Sequence, residues 1–483
     1  MPHRLACGTW YRRLGVCAAI VVAAGCNGTD SLGGAGGAGG SKGATGFGAH
    51  SGGAQGTGAS DETSGAGAIG EAGVTGEAGA DGGSSGAGGS GGSPVGGSFG
   101  GNLNTEVDIL VMIDNSPEMT EMQEKLDVQL PSFIQTLQNL PVPPSLHLAV
   151  VSSDMGAPGD STASIACTTR GDQGEFQTAP RGTCVNTTLS AGATFISDAD
   201  MMPNYTDPLV NVVQCIALLG DEGCGFEHQL ASIDRALGAD GLGPAPSQNV
   251  GFLRPEAALV ILMLTNEDDC SAPANTTIYS LNGSLQNISN PDGPIGNYRC
   301  NGGPRGGHLC QDPHAVSPTA FSTPPLTPPS DAQGTATAPM LDLANCEDNE
   351  TGSSALTPVS QFVSDIKALK SDPDSQILVA AIAAPAAPYA VTWAPAMGGQ
   401  STQPGELWPN VMHSCGAAGG SYLNPAATQR PTDGSFGDPA VRITQFTNAF
   451  PKSVLGSVCD ANFGSTLGAL AGMIAQLIEP NLL

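Results

Sequence analysis

The chain has 483 residues, 44 Asp and Glu against 16 Lys and Arg, a formal net charge of -28, 68 glycines and only 5% aromatic residues. Phosphate binding draws on clustered Lys and Arg, and here the few basic residues are scattered through an acidic chain, so nucleic acid is excluded as a partner class. Divalent cations suit such a charge balance better.

His3, Arg4, Arg12 and Arg13 precede an apolar run from Leu14 to Ala24, the layout of a secretion signal and too short for a stable membrane span. The run ends in Val22-Ala23-Ala24-Gly25-Cys26. This is similar to the bacterial lipobox, in which small residues admit the signal peptidase and the cysteine is acylated; residues 1–25 are then the signal and Cys26 the lipidated N-terminus. An ordinary cleavage site with an incidental cysteine is the alternative, since Ala23 replaces the more usual Leu. Either reading exports the chain.

Residues 26–103 are Gly, Ala, Ser and Thr with almost no large apolar residue, and cannot bury a core. A flexible coil of about 75 residues has a root-mean-square reach of roughly 45–50 Å, which suits a tether. Glycine keeps no strict three-residue period, so collagen is excluded.

Residues 104–483 read as one folded domain. Val107–Ile113 is a short continuous apolar run, the pattern of a strand buried in a parallel sheet. A helix is expected from Met119 to Leu140, with a kink at Pro131, and a second strand from Leu146 to Val151. Helical spacing recurs over Leu209–Leu219 and Phe226–Leu237, and Ala257–Thr265 is the clearest buried strand. Val359–Lys370 reads as a helix, Gln376–Ala383 as a strand, and Ile443–Phe450 and Gly464–Ile478 as helices. Alternation of this kind predicts a doubly wound, mostly parallel α/β sheet. Insertions at 154–208, 270–346 and 384–459 are expected to be loops stapled by disulfides.

Of 13 cysteines, those at 7 and 17 lie in the signal and Cys26 is the acyl site, which leaves ten. An even number without any CxxC pair fits a disulfide set in an oxidising compartment and gives no support to a zinc cluster. Cys167–Cys184 and Cys215–Cys224 are expected as local bridges.

Acidic groups at the carboxyl ends of buried parallel strands sit where open α/β sheets bind ligands. Asp114, Ser116 and Glu118 follow the first strand; Thr265, Asn266, Glu267, Asp268 and Asp269 follow the central one. A strand running into Asp-x-Ser and then a long helix resembles the metal-ion-dependent adhesion site of von Willebrand factor A domains, with Asp114 and Ser116 matching. The resemblance implies a Rossmann-like sheet and an oxygen-only site for Mg²⁺ or Ca²⁺, completed by a partner's carboxylate. Glu118 stands at the second Ser, no Thr occurs in Gly220–Leu230 where the second loop falls, and Asn266 replaces the third-loop Asp, with Asp268 close by. Glu267 is expected to face solvent. In the competing reading, Asp114 and Ser116 merely cap the following helix.

HExxH and GxxxxGK[ST] are absent, GxSxG occurs only within the Gly-rich segment and never in a strand-turn-helix context, and His228 reads as a helix-surface residue. The expectation is therefore a non-enzymatic adhesion protein, lipid-anchored at the cell surface or outer membrane, that binds a protein or polysaccharide. An extracellular hydrolase using the NEDD carboxylates, and a structural envelope protein with a degenerate metal site, are the alternatives.

Overall fold

The structure, a computed structural model, describes residues 104–157, 167–179, 189–199, 202–280, 297–395, 407–416 and 423–478. The signal, Cys26, the tether and Cys184 lie outside the described residues.

The first half of the domain runs β1 (Glu106–Ile113), α1 (Thr120–Gln138), β2 (Ser145–Ser152), β3 (Ile196–Ser197), α2 (Leu209–Ala217), α3 (Gln229–Leu237) and β4 (Ala258–Leu264). There follow α4 (Asn297–Asn301), β5 (His308–Gln311), β6 (Phe321–Ser322), β7 (Gln333–Thr335), β8 (Ala338–Asp348), α5 (Val359–Lys367), α6 (Pro373–Gln376) and β9 (Ile377–Ala383). The chain closes with β10 (Tyr389–Pro395), β11 (Leu407–Val411), α7 (Val441–Asn448), β12 (Ser453–Ser457) and α8 (Gly464–Ile478).

Six strands form a sheet in the order β12-β9-β4-β1-β2-β3, parallel throughout except for β3 at one edge. All seven residues of β4 and of β9 are buried, as their uninterrupted apolar runs require of central strands covered on both sides. Alternate residues of β1 point to opposite faces. Val107, Ile109, Val111 and Ile113 pack with α1, α2 and α8, whereas Leu110 and Met112 pack with α3, α5 and α7. Each such side chain, fully removed from water, contributes about 1.5–3 kcal/mol.

Helix α1 remains helical through Pro131, although proline has no N–H for the carbonyl four residues back. That carbonyl, on Asp127, instead accepts a 2.9 Å hydrogen bond from Gln214 Nε2 of α2.

The expectation of mere loops at 270–346 and 384–459 is corrected. That part of the chain carries a second, antiparallel sheet ordered β11-β10-β8-β5-β6, with β7 paired to β8. Its own core contains Leu341, Leu343, Tyr389, Val391 and Trp393, and the indole N–H of Trp393 donates to Leu326 O at 3.0 Å.

Disulfides join Cys167 to Cys224, Cys270 to Cys300, Cys310 to Cys346 and Cys415 to Cys459; Cys215 is bonded as well. The first of these corrects both expected local bridges. Cys167 and Cys224 are 57 residues apart in sequence, Cys167 after β2 and Cys224 between α2 and α3. A set of this kind belongs to a chain folded in an oxidising environment. No helix among the described residues is long and apolar enough to cross a membrane.

Candidate functional site

Register brings the site together. Ile113 of β1 stands beside Ser152 of β2 and Leu264 of β4, so the next residues, Asp114, Ser153 and Thr265, leave the sheet side by side. Asp114 N still donates to Leu264 O at 2.9 Å, which fixes the carboxylate at the strand end.

The Asp114 side chain is fully buried. Its Oδ1 accepts the Ser116 N–H at 2.9 Å and the Ser153 hydroxyl at 3.0 Å, and its Oδ2 accepts the Thr265 hydroxyl at 2.7 Å. Gln229 Nε2 donates to Thr265 Oγ1 at 2.8 Å, and the Thr265 hydroxyl also faces Glu267 O at 3.0 Å. Burial raises the Asp114 pKa, and hydrogen bonds from Thr265, Ser116 and Ser153 pull against that rise. Helix α1 begins at Thr120 with Met119 at its N-cap and no side-chain cap, so Asp114 and Ser116 do not perform the capping role.

The loop between α2 and α3 presses on this point. Gly223 N donates to Asn115 O at 2.7 Å, and a Cβ at Gly223 would come within 2.4 Å of Asn115 Oδ1, so the approach requires glycine. The same loop ends in Glu227, which is buried and hydrogen-bonded to Glu267. Both carboxyls are pushed well above the ordinary range. Burial is the largest cause for each; the charge of Asp114 comes next for Glu227, and the charges of Glu227, Asp438 and Asp114 follow for Glu267. Glu267 thus turns inward to the Asp114 cluster, contrary to the expectation of a solvent-facing residue.

The other expected ligands separate. Asn266 is buried, its amide oxygen and nitrogen lack hydrogen-bond partners, and so does Ser116 Oγ. Asp268 is engaged elsewhere: its Oδ1 accepts Ile443 N at 3.1 Å, and its Oδ2 accepts Arg442 N at 2.8 Å and His308 Nε2 at 2.7 Å. It therefore holds the N-terminus of α7. Burial acts to raise its pKa, but His308 and Arg442 outweigh burial and hold it below the usual value. Asp269 binds the Arg442 guanidinium at 3.0 Å.

Glu118 is exposed and adopts a left-handed φ of 80°. Its charge acts on His413, whose Nδ1 lies 2.5 Å from Asp438 Oδ1. Burial depresses the His413 pKa, yet the hydrogen bond and charge of Asp438, helped by Glu118, lift it above the ordinary value. Asp438 itself is tied to the Asp114 site through its N–H, which donates to Asn266 O at 2.8 Å.

Sequence reasoning missed Ser153, Glu227, Gln229 and Asp438. The Ser-Ser pair closing β2 was a usable signal for Ser153; nothing local marked Asp438, more than 150 residues beyond the central strand. His228, expected on a helix surface, is buried at the start of α3.

The arrangement offers hard oxygen donors of mixed type. Among the described residues no three His, Cys, Asp or Glu side chains converge as a metal-holding group, so a cation here would have to use hydroxyl or amide oxygens as well. Compared with known proteins, the chain matches no family model and has no significant sequence match among curated proteins.

Proposed function

We propose that this is an exported surface protein, lipid-anchored through Cys26 to the outer membrane or cell surface, whose von Willebrand factor A-like, doubly wound domain binds a protein or polysaccharide. A divalent cation at Asp114 mediates the contact. The observation that carries this reading is the meeting of three strand-end loops on a buried Asp114, with Ser116 Oγ and the Asn266 amide beside it and unpartnered.

Buried polar atoms without partners are costly, by about 1–3 kcal/mol each, and a hard cation satisfies oxygens of this kind. Ser116 and Asn266 would hold Mg²⁺ or Ca²⁺ together with Asp114. The cation would supply the positive charge that captures an anionic group of the partner. Glu227 and Glu267 repel Asp114, and that repulsion makes a cation stabilising.

Melting temperature read against millimolar Mg²⁺, Mn²⁺ and Ca²⁺ tests the site. For a millimolar Kd, 10 mM cation stabilises the fold by about 1.4 kcal/mol. Asp114→Ala is expected to abolish the cation-dependent increment, and Glu347→Gln, on the exposed side of β8, to leave it intact. An unmoved wild-type melting temperature would sink the metal site and leave a structural envelope protein.

One observation favours a second reading, an extracellular hydrolase. The hydrogen-bonded Glu227–Glu267 pair has the elevated pKa values of a general acid–base couple. Turnover of a glycan or peptide that Glu227→Gln abolishes would favour this reading over adhesion.

A further inference from the structure

A cavity of about 440 Å³ lies between α3, α5 and the segment after β4, and none of Asp114, Ser116, Glu227, Asn266 or Glu267 lines it. Its wall includes apolar Met155, Leu242 and Phe362 together with Asp234, Asp365 and His228. Leu242 is 81% exposed, so the cavity meets solvent at that rim.

The donor side chains of this wall, Gln173, Arg235 and Gln361, are already engaged by protein acceptors. Asp234 is 2% exposed and its Oδ1 has no hydrogen-bond partner among the described residues. Arg235, the neighbouring cation, is engaged by both oxygens of Asp240 at 3.3 Å and by Pro244 O at 3.0 Å. Asp365 accepts Gln361 Nε2 at 2.8 Å on each oxygen and keeps its charge close to Asp234.

His228 adds a third acceptor. Tyr279 gives its one hydroxyl proton to Cys270 O at 2.6 Å, so His228 Nδ1, 3.2 Å from the same hydroxyl, is the protonated nitrogen of the ring. Its Nε2 is buried and has no hydrogen-bond partner among the described residues.

We infer that this cavity binds a primary organic ammonium ion, with the N–H groups directed at Asp234, Asp365 and His228 Nε2 and the hydrocarbon body against Phe362, Leu242 and Met155. An ammonium supplies three donors and a positive charge that favours the ionised form of Asp234 beside Asp365. The volume falls within the range of small-molecule sites, and its apolar wall suits a hydrocarbon chain or ring better than a hydrated metal ion.

Calorimetric titration of the full-length protein at pH 8 with 2-phenylethylammonium, and with the neutral 2-phenylethanol of the same shape, tests the assignment. The ammonium is expected to bind at least about tenfold more tightly than the alcohol, the difference expected of charge-assisted hydrogen bonds. Asp234→Asn should lose at least that factor while its melting temperature holds or rises; Asp365→Asn serves where that variant does not fold. Equal binding of amine and alcohol, unchanged binding in these variants, no binding of the amine at 10 mM, or its displacement by millimolar Mg²⁺ or Ca²⁺ would each overturn the inference.

Discussion

Buried carboxylates differ here in how they are compensated, and the difference decides their behaviour. Asp108, in the middle of β1, meets the Arg254 guanidinium at 2.8 Å and accepts the Arg254 N–H at 2.7 Å, although burial still raises its pKa. Asp234 has no such cation. Burial first, then the charges of Asp365 and Asp240, push its carboxyl up to about 8. A carboxyl whose pKa is raised on folding keeps its proton in the native state while the unfolded chain releases it, so stability falls as pH rises from about 4 through about 8. Asp234→Asn removes that titration. The variant's urea midpoint should exceed wild type by more at pH 8 than at pH 5; an equal difference at both values would show that Asp234 titrates normally.

Among the elements, α7 depends on a residue far away in sequence. Asp268 accepts the N–H groups of Arg442 and Ile443 in the first turn of α7 and also faces His308, while Arg442 on that helix reaches Asp269 and Asp348. The helix has no side-chain cap of its own. Asp268→Ala removes a cap, typically 0.5–2 kcal/mol, and breaks a buried charged network, which brings the expected loss to roughly 3–5 kcal/mol in chemical denaturation. Because Asp268 is turned away from Asp114, this variant should retain the cation-dependent rise in melting temperature. Loss of that increment at unchanged fold would return Asp268 to the metal site. The central strands show the opposite dependence: β4 and β9 are apolar along their length, so their place in the sheet interior follows from composition.

For the whole molecule, a net charge of -28 favours solubility and long-range attraction of cations, and works against compactness through self-repulsion. Four described disulfides offset part of that repulsion by closing stretches of 30 to 57 residues, each worth typically 2–4 kcal/mol. They tie the loops around the carboxyl edge of the parallel sheet and the second sheet into one body. The proposed attachment of that body is at Cys26. Labelling with an alkynyl fatty acid and membrane fractionation should both be lost in Cys26→Ser, and labelling that persists in this variant would refute the anchor.

Much of the parallel sheet was legible because its strands are continuous apolar runs and its helices repeat apolar residues at helical spacing; Gly464–Ile478 was read to the residue. The Asp114–Ser116 loop was legible too, since a polar pair at the end of a buried strand has few places to go. β8 carried a faint signal in the alternation of Leu341 and Leu343, but its partner β5 is only four residues long, too short for a period to register. The sequence by itself therefore determined the main strands and helices, the acidic balance and an even set of cysteines suited to disulfides. Only tertiary structure decided that Ser153, Glu227 and Glu267 come to Asp114, that Asp268 leaves it for α7, and that Cys167 meets Cys224. These outcomes depend on which strands pair and in what register, and hydrogen bonds between strands more than a hundred residues apart leave no mark on local composition.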